Sequence, residues 1–502
     1  MFISRRGALL AAVFSAGLSL GGPAAADTLA DALALAYETN PVLQAQRASL
    51  RALDENVVQA RAGWRPSISA SASGTYSETR TPGAGGPVDL NGDGIPDGVA
   101  AGGIDERNSA NAGFALNQPI WTGGRVGSAV SAARADILAG QENLRRIEAE
   151  VLGDVIVAYV DVRRDQEALR IRQNNVQVLT RQLEETDARF EVGEITRTDV
   201  AQAQARLAAA EAQLRSAEAG LAISRAEYAA VVGQNPGDLD PEPPLATILP
   251  PSVEQAYEAA EQNNPQVRQA IYAAQAAAAR VSAARADRMP NLSLSGTVGW
   301  SGLADPFEPS DYSRNVTGRA TLTVPIFTGG LNNSRVRAAR ERETASEQSV
   351  EQARRIAQQS VTRAWSQLLA ARANIGSTDV QVRAARIAAE GVRQEQQVGL
   401  RTTIDVLNAE QELRAAELAQ ISARRDEYVA SAAVLSAVGR LDAANLAPEL
   451  TPYDPQANGR SLRYTWGWTP WEEPIGLVDS VFVPQATELD RSAPVSPVST
   501  AQ

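Results

Sequence analysis

The 502-residue chain contains no cysteine and no histidine. Without thiols there are no disulfides, thiol nucleophiles or thiolate metal ligands. Without imidazole there is no Ser-His-Asp triad and no His-ligated metal. An enzyme made from this chain would have to work with carboxylates, Arg or hydroxyls, and no catalytic pair of these stands out. Aromatic residues are scarce as well, 5% against 44% hydrophobic residues overall. Alanine supplies much of the difference, a balance closer to long packed helices than to an ordinary globular core. Long apolar runs are missing: past the N-terminus no segment reaches the roughly 18 unbroken apolar residues of a transmembrane helix. A route into a membrane must then be a β-barrel. An excess of positive charge is also lacking, and the formal net charge of −12 argues against a nucleic-acid partner.

The N-terminus reads as a secretory signal over residues 1–26: Arg5 and Arg6, an apolar stretch, then Ala24-Ala25-Ala26 before Asp27. The Arg pair is a loose match to the twin-arginine route, and ordinary export is the expectation. No cysteine follows the cleavage site, so no lipoprotein anchor is expected.

The mature sequence repeats itself. Pro119, Gly123, Gly193, Asp199 and Gly233 recur as Pro325, Gly329, Gly399, Asp405 and Gly439, each 206 residues on. Upstream, "YETNP" (Tyr37–Pro41) echoes "EQNNP" (Glu261–Pro265), and Trp64–Tyr76 echoes Arg288–Trp300, now 224 residues apart. The 18-residue difference lies between Pro66 and Pro119, so the first copy carries a longer loop. Residues 27–240 form the first repeat, 241–447 the second, and 448–502 a Pro- and Trp-containing tail expected to be partly disordered.

Within each repeat the hydrophobic period changes. Val155, Val162, Leu169, Val176, Leu183 and Phe190 are seven apart, with charges between them. This predicts one helix of roughly 100 Å at about 1.5 Å per residue. "VGEIT" (Val192–Thr196) breaks it, and Val200, Leu207, Leu214, Leu221 and Tyr228 continue the heptads back. The expectation is an antiparallel, left-handed supercoiled hairpin over 126–233, repeated over 332–439. Ahead of each hairpin the period becomes two. Ile68, Ala70, Ala72, Gly74 and Tyr76; Ala112, Phe114 and Leu116; Leu292, Leu294, Val298 and Trp300; and Val316, Ala320, Leu322, Val324 and Ile326 all fall on even numbers. Strands are expected near 66–78, 108–121, 290–302 and 314–327, long enough to cross a bilayer when tilted. Alternation alone also fits a soluble sandwich. The export signal, the aromatic ends at Trp64, Trp121, Trp300 and Phe327, and the loop-rich connections favour an outer-membrane barrel. Four strands cannot close a barrel. Three copies would give twelve strands and twelve helices with no exposed sheet edge.

The duplicated phrase "QPIWTGG" (118–124) and "VPIFTGG" (324–330) marks where each strand turns into its long helix. Pro119 and Pro325 fit the place where ladder bonding stops or bends. Gly123, Gly124, Gly329 and Gly330 permit the turn. Asn40-Pro41 and Asn264-Pro265 read as N-caps followed by Pro at the first helical position.

Two tandem units of strand pair plus long helical hairpin, with the "PIWTGG/PIFTGG" and "VG…D-V" phrases, resemble the TolC family of outer-membrane efflux and type I secretion channels over about residues 28–447. The resemblance implies a fold that is mainly α with a membrane β-barrel. It also implies a homotrimer: a twelve-stranded barrel in the outer membrane continued by a twelve-helix periplasmic tunnel. The partners implied are a periplasmic adaptor and an inner-membrane transporter of the ABC or RND type. No cofactor is implied. The adaptor-docking motif at the hairpin tips is matched by Val398-Gly399-Leu400 and by Val192-Gly193, where Glu194 departs from the pattern. The acidic constriction of the channel entrance is matched by Asp405, while Asn408 replaces the second carboxylate. Arg401 matches a basic residue that latches the closed entrance, but Gln396 stands where a Tyr partner is found in relatives. Asp405 and its copy Asp199 also read simply as helix-start carboxylates. A periplasmic coiled-coil adaptor or scaffold is the alternative reading, and it leaves the membrane-length strands unexplained.

Two weaker signals remain. "DLNGDGIPDG" places Asp89, Asn91, Asp93 and Asp97 at calcium-ligand spacing, with Gly94 at the turn, in a loop expected outside the cell. Ala100 stands where an EF-hand has its last carboxylate, so the loop also reads as an ordinary solvated turn. "WGWTPW" (Trp466–Trp471) carries no motif and reads as part of a partly ordered strap or a disordered tail.

Overall fold

The computed structural model of the chain describes residues 28–82, 87–88, 94–95, 98–99, 102–304, 308–447, 450–462, 467–481, 483 and 487. The first repeat contains α1 (Leu29–Thr39), α2 (Pro41–Arg61), β1 (Ser67–Thr81), the short pair β2 (Pro87–Val88) and β3 (Gly98–Val99), β4 (Gly103–Trp121), α3 (Arg125–Glu191) and α4 (Arg197–Val232). The second contains α5 (Val253–Asn263), α6 (Pro265–Ala286), β5 (Asn291–Leu303), β6 (Ser313–Thr323), α7 (Leu331–Gln397) and α8 (Thr403–Ala437). The C-terminal segment adds α9 (Ala443–Leu446), α10 (Ala457–Ser461) and α11 (Glu472–Asp479). The signal segment 1–26 lies outside the described residues.

The repeat offsets recur as hydrogen bonds. Thr28 caps α1 by accepting from Asp31 N, and Ser252 caps α5 by accepting from Gln255 N. Asn40 Nδ2 donates to Val231 O at 3.0 Å, and Asn264 Nδ2 donates to Ala437 O at 2.9 Å. In both copies, then, the Asn ahead of Pro ties the kink to the last turn of the return helix. No described helix is long and apolar enough to cross a membrane.

The chain divides into two compact units. One, the sheet unit, comprises Pro41–Gly153, Leu245–Asn374 and Asp426–Gln502. Its four long strands are all antiparallel, in the order β1-β4-β5-β6, with β1 and β6 at open edges. The register carries the even-numbered residues onto one face: Ala70, Phe114, Val298 and Val316 lie opposite one another across all four strands. Ile68, Tyr76, Phe114, Leu294, Trp300, Val316 and Leu322 on this face are exposed, the pattern of a lipid-facing surface. The odd face is polar, with Ser73 Oγ donating to Asn111 Oδ1 at 2.8 Å. Below the sheet, Ala256, Ala260, Val361, Leu368, Val434 and Val438 pack α5 against α7 and α8. Leu368 is 1% exposed, and burial of this kind contributes about 1.5–3 kcal/mol. Arg268, also 1% exposed, joins α6 to α3 through Glu142 Oε1 at 3.1 Å.

The other, the tip unit, comprises Met1–Asn40, Asp154–Pro244 and Ile375–Arg425. Leu179, Ala210 and Leu407 form a shared seam of α3, α4 and α8, and Val382, Ala385, Ala389, Leu413 and Ala416 pack α7 on α8. Alanine at these contacts lets the backbones approach closely, which accounts for the low aromatic content. The α3 heptad series is not uniformly buried. Val155 and Val162 are fully enclosed, Leu169, Val176 and Leu183 partly so, and Phe190 is exposed. In α4 the burial likewise falls from Tyr228 toward Val200. A single chain thus covers its heptad stripe at the base of the hairpin and leaves it uncovered near the tip.

Candidate functional site

At the two tips the backbone closes in the same way. Gly193 N donates to Phe190 O (2.9 Å) and Glu194 N to Arg189 O (3.0 Å); Gly399 N donates to Gln396 O (3.0 Å) and Leu400 N to Glu395 O (2.9 Å). This is the Schellman pattern, which needs a left-handed residue at its corner. Gly193 (φ 80) and Gly399 (φ 79) supply it. The closure leaves Val192, Val398 and Leu400 exposed at 78%, 70% and 76%.

The charges around the tips differ. In the first, Glu194 pairs with Arg189 at 2.8 Å. In the second, Arg401 reaches back across the turn to Glu395 at 2.8 Å, and that bond, together with the Glu395 charge, raises the guanidinium pKa further. Asp405 Oδ2 accepts from the Thr402 hydroxyl (2.8 Å) and from Thr402 N (3.0 Å). Asp199 does the same with Thr196, at 2.7 and 2.9 Å. Each carboxyl is held below its ordinary pKa, first by the threonine hydroxyl, then by the backbone amide. Asp405 therefore caps α8 and stays ionised at neutral pH. Asn408 Oδ1 accepts from Arg206 at 3.0 Å and so links α8 to α4. Gln396 is buried, with no hydrogen-bond partner for Nε2 among the described residues. The sequence reading passed over Arg206, Glu395 and Glu410. Glu410 is almost fully buried and receives both Arg393 and Arg414. Heptad reading files these charges under the solvated faces.

The strand-to-helix elbows form the other duplicated site. Gly123, Gly124, Gly329 and Gly330 all have positive φ, at 67, 87, 60 and 85°. Their surroundings differ. β4 continues through Pro119 to Trp121, with a bulge between those two residues, because β5 pairs with it there. β6 stops at Thr323, short of the expected 327, and Val324–Thr328 belong to no strand. The cause is the missing neighbour: among the described residues no further strand lies beyond β6 to hold them.

The tail fastens the first elbow. Asp479 accepts from Thr122 N (2.8 Å), Gly124 N (3.0 Å), Gly127 N (3.3 Å), the Thr122 hydroxyl (2.8 Å) and Trp64 Nε1 (3.1 Å). Burial pushes this carboxyl's pKa up, but the bonds from Gly124, Thr122 and Trp64 outweigh it, and the net shift is downward. The carboxylate sits at the N-terminus of α3, where unpaired amides and the helix dipole favour an anion. Alongside, Glu472 pairs with Arg65 at 2.8 Å, both buried, and Trp471 Nε1 donates to Gln118 at 3.2 Å. The stretch 467–481 is thus an ordered clasp. Repeat analysis could not reveal it, because the tail occurs once.

The outer membrane efflux protein profile matches residues 32–234 and 256–440. The chain belongs to the outer membrane efflux protein family. It is 33% identical over 459 residues to the outer membrane efflux protein BepC of Brucella suis, covering 91% of this chain and 95% of BepC. It is 24% identical over 407 residues to the outer membrane protein TolC of Escherichia coli, covering 78% of each. Among solved structures, the open-state MtrE outer membrane channel of Neisseria gonorrhoeae aligns with a TM-score of 0.66 at 23% identity, over 83% of this chain and 90% of MtrE. The outer-membrane channel OprN aligns at 0.67 and 22%, over 82% and 89%. The efflux-family fold, a helical tunnel with a β domain, is therefore the fold of this chain. The protein is an outer-membrane channel of the efflux and type I secretion kind, with its helices on the periplasmic side. The four loop positions 89, 91, 93 and 97 lie outside the described residues, and among the described residues no cluster of acidic groups could hold a metal ion.

Proposed function

We propose that three copies of this efflux-family chain form one channel-tunnel, a passive exit path whose cargo is driven by an energised inner-membrane transporter of the ABC or RND type. The open edges of β1 and β6, on a sheet whose exposed face is apolar, carry this reading: neither edge can stay unpaired in a bilayer. The exposed tips Val192-Gly193 and Val398-Gly399-Leu400 are the surfaces offered to a periplasmic adaptor. Asp405, repeated three times around the entrance, is the constriction. A ring of carboxylates repels itself, holds cations and favours their passage. Asn408 contributes no charge there, and Arg401, paired with Glu395, serves the entrance through its own tip.

Purified protein in planar bilayers should conduct, and light scattering in a mild detergent that does not dissociate the assembly should give three chains per particle; a soluble, non-conducting product overturns the channel. Asp405→Ala should relieve block by divalent cations added from the periplasmic side, and unchanged block would remove Asp405 from the entrance.

A further inference from the structure

The short helix α11 is built inside out. Glu472, Gly476 and Asp479 face the protein and are buried, with Glu472 on Arg65 and Asp479 on Trp64 and the first elbow. An added Cβ at Gly476 would lie 3.1 Å from the Trp64 ring, so the helix is pressed onto that indole. The opposite side carries Leu477 and Val478, with Val481 just past the helix end, and these are 74%, 64% and 67% exposed. Positions one turn apart share a side of a helix. Carboxylates turned inward and aliphatic side chains turned outward reverse the arrangement that water selects. A contiguous apolar patch of this kind marks a surface that meets something other than water.

The sheet shows which medium lies there. Trp471, ahead of α11, donates from Nε1 to Gln118 Oε1 at 3.2 Å. Gln118 pairs with Leu294 and lies on the same side of β4 as Leu116 and Phe114. That is the apolar side of the sheet, where Phe114, Leu116 and Leu294 are exposed. The tail therefore reaches the lipid-facing side of the sheet at its periplasmic foot, and not the polar side. Trp471 keeps 47% of its surface exposed while its one donor is satisfied, which suits an indole at the boundary between membrane and water. Beside α11 runs a groove of about 600 Å³, lined by Trp121, Ala286, Met289, Val478 and Val481 and by the exposed Arg285. An apolar groove with a guanidinium at its side offers an acyl chain its walls and a headgroup phosphate its counter-charge.

We propose that the C-terminal clasp is a membrane-seated anchor, with Trp471, Leu477, Val478 and Val481 entering the periplasmic leaflet of the outer membrane beside the foot of the sheet. Phospholipid is the fitting occupant because the patch continues the lipid-facing side of β4 and has a cation next to it. Asp479 on the inner side of the same helix braces the first elbow, so one helix carries both the membrane contact and the brace.

The inference rests on the even face of the sheet being the lipid-facing one, and the test separates the two. The cysteine-free chain accepts a single cysteine without background. Leu477→Cys, Val478→Cys and Val481→Cys are each labelled with a nitroxide in the full chain, shown to conduct, and placed in vesicles of phosphatidylethanolamine and phosphatidylglycerol. Val316→Cys reports on the sheet face, and Ala457→Cys, exposed on α10, reports on the aqueous side. Collisions with oxygen, which concentrates in lipid, should exceed those with a water-soluble nickel chelate at positions 477, 478 and 481, as at 316. The order should reverse at 457. If nickel dominates at the three clasp positions while oxygen dominates at 316, the anchor is overturned and the sheet stays in the membrane. Few collisions with either reagent at the clasp mean that a neighbouring copy or the rest of the tail covers it, which overturns the anchor equally. Nickel dominating at 316 as well overturns the lipid-facing assignment of the sheet, and the anchor with it.

Discussion

The two elbows share the Pro-Ile-aromatic-Thr-Gly-Gly phrase and the same positive-φ glycines, yet they occupy opposite environments. Around the first, Thr122 is buried, the α6–β5 turn presses on Gly123, and Asp479 accepts from the amides of Thr122, Gly124 and Gly127 in the turn and helix start. Around the second, the aromatic is bare and the strand ends early. The local sequence determines the backbone corner in both places, and the neighbour determines whether the corner is covered. A duplicated motif thus reports on shape, and its asymmetry reports on what is missing from the single chain.

The largest effect that would sharpen this contrast is removal of the clasp. Asp479→Ala leaves buried amides and Trp64 Nε1 without their acceptor, a loss of roughly 3 kcal/mol in local stability. Amide exchange should accelerate over Thr122–Gly127 and α11 and stay unchanged over Thr328–Ser334; equal acceleration at both elbows would break the distinction. Next come the glycines. Gly123→Ala and Gly329→Ala share a backbone penalty of about 1–2 kcal/mol for the left-handed conformation. Only Gly123→Ala adds a clash with Met289, of about 1–3 kcal/mol. In detergent-dissociated chains Gly123→Ala should therefore lower the unfolding midpoint more, and equal midpoints would show that the close approach is absent.

A smaller and reversible probe is pH. The Asp479 pKa is depressed in the folded chain, so its stabilisation is complete above the ordinary carboxylate pKa of about 3.9. It is lost as pH falls through the depressed folded value. Acid protease should begin to cut within 467–481 only below that range, and cleavage already at pH 6 would contradict the clasp. The smallest effect concerns the tips, where Asp199 and Asp405 make the same cap. Asp199→Ala should fray the first turn of α4 without altering divalent block, whereas Asp405→Ala should alter block. If the two variants behave alike, the tips are not functionally distinct.

Much of the architecture was legible because it is periodic. The heptads of α3 and the alternation of β4 each repeat one physical requirement many times, and the 206-residue offset repeats the whole unit. What escaped is aperiodic. Asp479 and Glu472 lie far in sequence from Thr122 and Arg65 and have no counterpart in the other repeat. Arg206 looks like any surface charge until α4 and α8 are packed side by side, and Glu410 until α7 lies against α8. The early end of β6 escaped for the opposite reason: Val324 and Ile326 continue the alternation, but a strand needs a neighbour as well as a pattern.

The central claim is that one chain is an incomplete wall whose open strand edges are paired in the assembled channel. The most direct measurement is amide exchange over Thr323–Gly330 in the assembled, conducting channel and in chains dissociated by detergent. Assembly should raise protection there to the level of Asn117–Gly124. A conducting channel in which Thr323–Gly330 exchanges as fast as in the dissociated chain would contradict the account.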